Sequence, residues 1–447
     1  MPGNEAMDAE FRAYCSINLP GMRITPAYFR NLAGIFMKDV SDKSLSDRAM
    51  ELESRYGAHN YKPLPVVLER GEGIFVWDVE GKRYFDFLSA YSALNQGHNH
   101  PAIVKALVEQ VGRLSLTSRA FYNNCLGEYE EYITRLFGYD KVLPMNTGAE
   151  GVETALKLTR RWAYVKKGIP ENQAKIIVVD GNFHGRTITV ISASTDPDSY
   201  SRFGPFTPGF IKIPYNDPGA LESALADKSV AGFLVEPIQG EAGVVIPDDG
   251  YLRQAFELCR RNNVLFVADE IQSGLGRTGK MLACDHEGVR PDVLILGKAL
   301  SGGLLPVSAV LADDEIMLNI KPGEHGSTYG GNPLAARVTI AALQTLVGER
   351  MPENAERLGK ILLSELRSMK HDFVSLVRGK GLFCAMVIKP ANGKTALDVC
   401  LALKDNGLLA KPTHGDIIRF APPLIISEDQ LMECIAIIRK TLAEFKW

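Results

Sequence analysis

Two short stretches carry residue types that could do chemistry together. Val293–Ser308 reads VLILGKALSGGLLPVS. Val293 to Leu296 is an apolar, β-branched run and predicts a buried strand. Gly297 ends that run, and Lys298 stands where the strand stops. Gly302 and Gly303 let the backbone turn sharply after it. A lysine so placed can bury its stem, but its ammonium must reach water, pair with an acid or lose its charge. Desolvated and near other cations, it becomes an amine nucleophile toward carbonyls. A lone lysine is ordinarily a surface-loop residue; a second stretch of the same design weighs against that here. Val264–Gly276, VLFVADEIQSGLG, runs as an apolar strand from Val264 to Ala268 and then places Asp269 and Glu270 at its end.

In an open parallel sheet the ligand crevice lies outside the carboxyl ends of the strands. Asp269 and Lys298 would both face it. An aspartate for a pyridinium nitrogen and a lysine for a Schiff base are what pyridoxal phosphate needs. With GKALSGG (Gly297–Gly303) and DEIQSGLGRTG (Asp269–Gly279), the chain resembles the class III, fold-type-I aminotransferases. The likeness runs from about Tyr56 to the C-terminus, through NFHGRT (Asn182–Thr187), EPIQGEAGV (Glu236–Val244) and HGSTYGGNP (His325–Pro333). GAHNYKPLPVVLERGEG (Gly57–Gly73) and DFLSAYSALNQGHNHP (Asp86–Pro101) are similar to the ornithine-specific members of that class.

The resemblance implies pyridoxal 5'-phosphate as cofactor and a set of roles. Lys298 would hold the cofactor aldehyde and then serve as general base. Asp269 would pair with the ring nitrogen, Gln272 with the phenolic oxygen, and Phe183 and Ile271 would sandwich the ring. Gly148 and Ala149 would bind the phosphate, and Thr328 would reach the phosphate held by the other subunit of a homodimer. The implied reaction moves the δ-amino group of ornithine to 2-oxoglutarate, giving glutamate. Tyr61 would meet the ornithine α-carboxylate and Tyr91 the substrate's amino end. Glu241 would cover Arg419 while ornithine binds, and Arg419 and Arg186 would take the two carboxylates of 2-oxoglutarate, since the guanidinium fork grips carboxylates bidentately. From the residues alone, Arg419 in the apolar strand IIRF is either half of a permanent salt bridge or a carboxylate clamp.

These residues need a scaffold, and the pattern supplies one. Ser46–Tyr56 predicts a short helix. Val66–Leu68, Ile74–Asp78 and Arg83–Phe87 predict a small meander separated by Gly71, Gly73 and Gly81. Asn99-His100-Pro101 opens a helix whose buried face is marked by Ile103, Leu107 and Val111. Strands then alternate with helices. Lys141–Asn146 leads through Thr147–Glu150 into a helix Gly151–Tyr164, whose free N–H groups form an anion site. Lys175–Asp180 and Phe233–Glu236 precede the two strands already described, and the helix Leu252–Asn262 separates them. This rhythm predicts an α/β fold with a mostly parallel sheet covered by helices on both faces. After Leu334 it changes to helices Ala335–Val347 and Glu353–Met369 and strands Phe373–Arg378, Leu382–Ile388 and Ile417–Phe420. A capping box, Ser427 with Gln430, opens an amphipathic last helix. The expected plan is an N-terminal segment (1–77), a large cofactor-binding domain (78–333) and a smaller α+β C-terminal domain (334–447). Ile17–Phe36 reads as irregular packing.

At 447 residues the chain is long for one core. A net charge of −3 leaves no footprint for nucleic acid or an anionic membrane, and no apolar run approaches the ~18–20 residues of a membrane span. Seven scattered cysteines without CxxC spacing argue for free thiols in a reducing compartment. Glu5, Asp8 and Glu10 precede the first arginine, unlike a transit peptide, which favours the cytoplasm; a leader ahead of this sequence would favour the mitochondrial matrix. Competing readings are an N-acetylornithine or 4-aminobutyrate aminotransferase, another chemistry on the same cofactor such as a mutase or decarboxylase, and a catalytically silent binding module. Retention of Lys298 and Asp269 disfavours the last.

Overall fold

The computed structural model of the chain describes residues 43–446. The reading of Ile17–Phe36 therefore lies outside the described residues, as does any role for the first 42. Two compact units divide after Val67. In the first, the helix Leu45–Tyr56 is capped by Ser44, whose hydroxyl accepts from the Asp47 N–H at 3.0 Å. Irregular chain follows, and Tyr61 within it is exposed.

The second unit opens with a meander, β1 (Leu68–Glu72), β2 (Phe75–Asp78) and β3 (Arg83–Asp86). The central sheet is built from β4 (Lys141–Met145), β5 (Lys175–Val179), β6 (Phe210–Ile213), β7 (Val230–Val235), β8 (Leu265–Asp269), β9 (Val293–Leu296) and β10 (Ser308–Ala312). Its order is β4-β10-β9-β8-β7-β5-β6, and β10 alone runs against its neighbours. Every residue of β7, β8, β9 and β10 is buried. Alternate side chains explain this. Val178, Leu234 and Val267 pack with the helix Gly148–Trp162, while Val179, Val235 and Phe266 pack with the helix Tyr251–Arg261. A sheet covered on both faces must have continuous apolar strands.

Beyond this sheet lie the helices Pro333–Gly348 and Met351–Ser368, and then a four-stranded antiparallel sheet. Its strands are β11 (Val374–Lys380), β12 (Phe383–Ile388), β14 (Lys411–Thr413) and β15 (Ile417–Phe420), ordered β11-β12-β15-β14. A two-residue strand, β13 (Leu408–Leu409), leaves this region and pairs in parallel with β3 of the meander. The last helix, Glu428–Glu444, has the Ser427–Gln430 capping box expected for it. The α/β class, the mostly parallel covered sheet and the smaller antiparallel-sheet domain are as the pattern predicts.

Several local expectations are corrected. β1 sits at 68–72 rather than 66–68. Val111 is exposed, and the buried residues of the helix Pro101–Val111 are Ile103 and Gln110 instead. The helix expected from Gly151 begins at Gly148: the Thr147 hydroxyl accepts from Glu150 N–H, and the Glu150 carboxylate accepts from Thr147 N–H at 2.7 Å. The T-x-x-E pattern of that capping box, Thr147 to Glu150, marks the earlier start in the sequence itself. β6, β10, β13 and β14 were not anticipated.

Candidate active site

Five parallel strands, β4, β5, β7, β8 and β9, deliver their carboxyl ends to one edge of the central sheet. Thr147–Ala149 follows β4, Asn182–Arg186 follows β5, Glu236 follows β7, Asp269 ends β8 and Lys298 follows β9 one residue on. Parallel neighbours at adjacent positions bring the acid and the amine side by side.

Lys298 heads a short 3-10 turn, Lys298–Ser301, with its backbone in the left-handed region at φ +45°. A non-glycine residue held there stores strain of about 1–3 kcal/mol, which the packed surroundings must over-determine. Part of the side chain remains accessible, but the protein around the amine strips it of water. Desolvation lowers its pKa; Glu241 opposes that fall, Arg419 adds to it, and Asp269 and Glu236 oppose it. A lysine so balanced gives up its charge more readily than one in water.

Asp269 is buried. Its Oδ2 lies 2.7 Å from His184 Nδ1, and its Oδ1 accepts the Ile271 N–H at 3.1 Å. Burial would lower the His184 pKa, but the hydrogen bond to and charge of Asp269 raise it overall. Next to them the buried Glu236 accepts the Phe183 N–H at 2.9 Å. Burial pushes its carboxyl up to about 7. His184 Nε2, also buried, has no partner among the described residues.

Across the crevice Arg419 projects from β15. Its Nη1 donates to Glu241 Oε1 at 2.8 Å and to the Gly240 carbonyl at 3.3 Å. Its Nε is buried without a partner among the described residues. Burial alone would raise the Glu241 pKa, yet the charge and hydrogen bond of Arg419, with help from Lys298 and Gln272, hold it below the usual carboxylate range. Gln272 Nε2 donates to the Tyr91 carbonyl at 3.1 Å and makes a long contact, 3.5 Å, with Glu241. The Arg419 guanidinium sits 4.9 Å from the centre of the Tyr91 ring, within cation–π range. Gly240 lets Gln272 sit close: a Cβ there would lie 1.7 Å from Gln272 Oε1 and would displace that amide.

Tyr91 is presented by an unusual backbone. Ser89, Ala90, Tyr91 and Ser92 all have φ between +46° and +68°, a left-handed turn made of four L-residues without a glycine. Asp86 anchors it, since Oδ1 accepts the N–H groups of Leu88 and Ser89 at 2.9 and 2.8 Å, and Oδ2 meets His98 at 2.8 Å.

Lys298, Asp269, Gln272, Glu241, Arg419 and Tyr91 are thus brought into one cluster. Ile271 packs beside both Gly148 and Gly297, where added Cβ atoms would each approach it to 3.2 Å. Ala149 borders Gly185 of the Asn182–Thr187 loop. Phe183 is partly buried, with the exposed Arg186 stacked 5.3 Å from its ring centre. Thr328 is exposed in the loop before the helix Pro333–Gly348 and joins no contact of the cluster. Tyr61 belongs to the first unit. His184 and Glu236 stand in the NFHGRT and EPIQGEAGV motifs and Arg378 ends a predicted strand, but the sequence assigns none of them, nor Thr413, a role. A histidine following the singled-out Phe183 was the one available signal.

The residues present fit pyridoxal 5'-phosphate. An amine with suppressed charge lies beside a buried carboxylate whose two oxygens each retain acceptor capacity. The N–H groups of Gly148 and Ala149 start a fifteen-residue helix and have no described acceptor, which suits a phosphate. Ile271 and Phe183 could close on the two faces of a ring. An open groove of about 720 Å³ beside Tyr132 and Arg337 contains none of these groups.

The family pattern described as "Aminotransferase class-III" matches residues 56–442. The chain belongs to the class-III aminotransferases. It is 64% identical to "Ornithine aminotransferase, mitochondrial" of Rattus norvegicus over 400 residues, 90% of this chain and 91% of that one. The crystal structure of the ornithine aminotransferase from Toxoplasma gondii ME49 superposes with a TM-score of 0.89 at 46% identity, covering 94% of this chain and 99% of that one. An acetylornithine aminotransferase structure from Elizabethkingia anophelis superposes at 0.83 with 58% identity, covering 90% and 100%. As a class-III aminotransferase the protein is a pyridoxal-phosphate-dependent transaminase. Among the described residues of this aminotransferase, no helix is long and apolar enough to cross a membrane and no side-chain cluster could hold a metal. Its cysteines at 125, 259, 284, 384, 400 and 434 are buried and free.

Proposed function

We propose that the protein is an ornithine δ-aminotransferase, moving the δ-amino group of L-ornithine to 2-oxoglutarate to give glutamate 5-semialdehyde, which cyclises to pyrroline-5-carboxylate, and L-glutamate. One observation carries the choice of substrate: Glu241 closes on Arg419 at 2.8 Å beside Lys298. Ornithine has two amines. A bare Arg419 would clamp its α-carboxylate and present the α-amine, whereas a covered one leaves the δ-amine to enter first. The names of the rat and Toxoplasma relatives support the same reading.

Bound pyridoxal 5'-phosphate supplies an aldehyde that captures the amino group and a ring that stores the electron pair of the broken C–H bond. Lys298 would hold the cofactor and then carry the proton between carbon atoms. Asp269 would keep the ring nitrogen protonated, and Gln272 would meet the phenolic oxygen. Gly148 and Ala149 would bind the phosphate through their N–H groups, and Phe183 and Ile271 would flank the ring. When 2-oxoglutarate enters, Glu241 swings away, Arg419 grips the α-carboxylate and Arg186 the distal one. Tyr91 guides the substrate's amino end. The role of Tyr61 toward the ornithine α-carboxylate rests on the sequence resemblance alone.

Assembly as a homodimer with shared sites completes the reading, with exposed Thr328 serving the second copy's phosphate. For compartment, the rat relative's name supports the mitochondrial matrix; fractionation of a C-terminally tagged protein tests that against the cytoplasm.

A second reading, N-acetylornithine as donor, has its own support in the Elizabethkingia structure. The deciding test is a donor screen with 2-oxoglutarate. Ornithine should outpace N-acetylornithine and 4-aminobutyrate by kcat/KM; a preference for either of the others replaces the proposal.

A further inference from the structure

The turn that carries Glu241 is held in a way the catalytic cycle does not require. Gln239 and Val245 pair through their backbones, N to O at 3.1 and 2.9 Å, and close a tight loop between them. At its tip four successive carbonyls each accept a hydrogen bond from a side chain of the C-terminal antiparallel sheet. Arg419 Nη1 donates to Gly240 at 3.3 Å. Thr413 Oγ1 donates to Glu241 at 3.0 Å. Arg378 reaches Ala242 through Nη2 at 3.5 Å and Gly243 through Nε at 2.9 Å. The three donors come from three strands, β15, β14 and β11. The loop has no slack either: a Cβ at Gly243, whose φ is +95°, would lie 2.5 Å from Ile417 Cδ1.

Arg378 is the unexpected member. It is half-buried and forms no ion pair among the described residues. Burial lowers its pKa, opposed by the charge of Asp416. A half-buried guanidinium whose donors go to main-chain carbonyls ties down the backbone that carries them. Its effect is to fix where Glu241 begins.

We propose that Arg378 and Thr413 are positioning residues for substrate selection: by clamping the backbone of the Glu241 turn to the C-terminal sheet, they confine the opening of Glu241 to its side-chain torsions and return it to Arg419 after each glutamate half-reaction. This rests on the gate reading given above. Two stable partners of Arg419 then alternate, the Glu241 carboxylate and the incoming α-carboxylate, while the turn stays still. A loosened turn lets Glu241 drift, leaves Arg419 uncovered for part of the time, and admits ornithine in its unproductive orientation.

The experiment compares holoenzymes of wild type, Arg378→Met, Arg378→Lys, Thr413→Val and Glu241→Ala. Single-turnover absorbance changes are read with ornithine and with glutamate, alongside hydrogen exchange of the peptide spanning 239–245. Arg378→Met keeps the stem and removes the donors. It should slow ornithine roughly five- to tenfold, the size of one lost hydrogen bond, leave glutamate within about twofold, and speed exchange in the turn. Arg378→Lys should recover most of the ornithine rate. Thr413→Val should shift the ratio of the two donors in the same direction, and it decides the matter if Arg378→Met does not fold. An unchanged ratio in both variants, or unchanged exchange, overturns the proposal. If Glu241→Ala shifts the ratio and the clamp variants do not, the clamp is wrong and the gate stands. If Glu241→Ala shifts nothing, the gate falls and the clamp with it.

Discussion

Arg419 Nη1 lies 2.8 Å from Glu241 Oε1, while Nε of the same buried guanidinium has no described acceptor. One face of the fork is occupied and another is waiting. Removing Glu241 should therefore separate the two donors. In Glu241→Ala, the δ-specific reaction of ornithine should fall by tenfold or more, equivalent to about 1.4 kcal/mol or above, and glutamate should change far less. A strut between domains would behave otherwise: breaking a buried pair costs about 3–5 kcal/mol, so both donors would fall together with the melting temperature. Single-turnover rates and thermal melts on the same preparations distinguish the two.

Lys298 is a cost to the folded state as well as the proposed catalytic amine. Its folded pKa is depressed, so below that of a free lysine the unfolded chain binds more protons, and removing the side chain relieves a penalty at neutral pH. Lys298→Ala should lose covalent cofactor by mass spectrometry and lose turnover by about a thousandfold or more. The apoprotein should melt no lower than wild-type apoprotein. Substantial turnover in a clean preparation would remove Lys298 from its role.

Glu236 gives a pH signature. Its carboxyl is raised from 4.5 to about 7 by burial, so between those values the folded state holds a proton that the unfolded chain has released. Stability attributable to this group is highest below pH 4.5, falls as pH rises toward 7, and is level above it. Glu236→Gln keeps an acceptor for the Phe183 N–H and removes the charge. It should gain on wild type by roughly 2–3 kcal/mol at pH 8 and little at pH 5. Urea unfolding at the two values tests this; equal gains at both would show that Glu236 is ionised without penalty.

Thr328 tests the shared site. Mixed subunits of Thr328→Ala and Lys298→Ala should form hybrids with one intact site, because the intact Lys298 and the intact Thr328 then meet across the interface. At limiting pyridoxal phosphate, activity after subunit exchange should exceed the mean of the two parents. If exchange is shown by mass and activity never rises, Thr328 acts within its own chain or not at all.

The positions of Lys298 and Asp269 were legible because β8 and β9 are buried on both faces. Their apolar runs are uninterrupted, and each ends abruptly in a charge. The contact between Glu241 and Arg419 was not legible from spacing; 178 residues separate the two, and only the family resemblance joined them. β10 escaped because Ser308–Ala312 opens on a serine after a glycine- and proline-containing loop and so does not stand out as an apolar run, and β13 because two residues carry no periodicity. Arg378 sits at an ordinary place in an ordinary strand. What makes it unusual is the set of carbonyls opposite, which no local pattern in Val374–Lys380 reveals.

The left-handed turn at Ser89–Ser92 sets where this chain tolerates inherited change. Each L-residue there opposes its backbone preference by about 1–2 kcal/mol, and the Asp86 hydrogen bonds and the buried surroundings hold it in place. A segment already so loaded has little reserve. Glycine at Ala90 would relax it, whereas valine or isoleucine at Ser89 or Ser92 would add crowding to a conformation that β-branched residues shun. Heat-sensitive alleles should therefore gather at Ser89, Ala90, Ser92 and Asp86, around Tyr91 rather than on it, because the first thing lost on warming would be the aim of that ring.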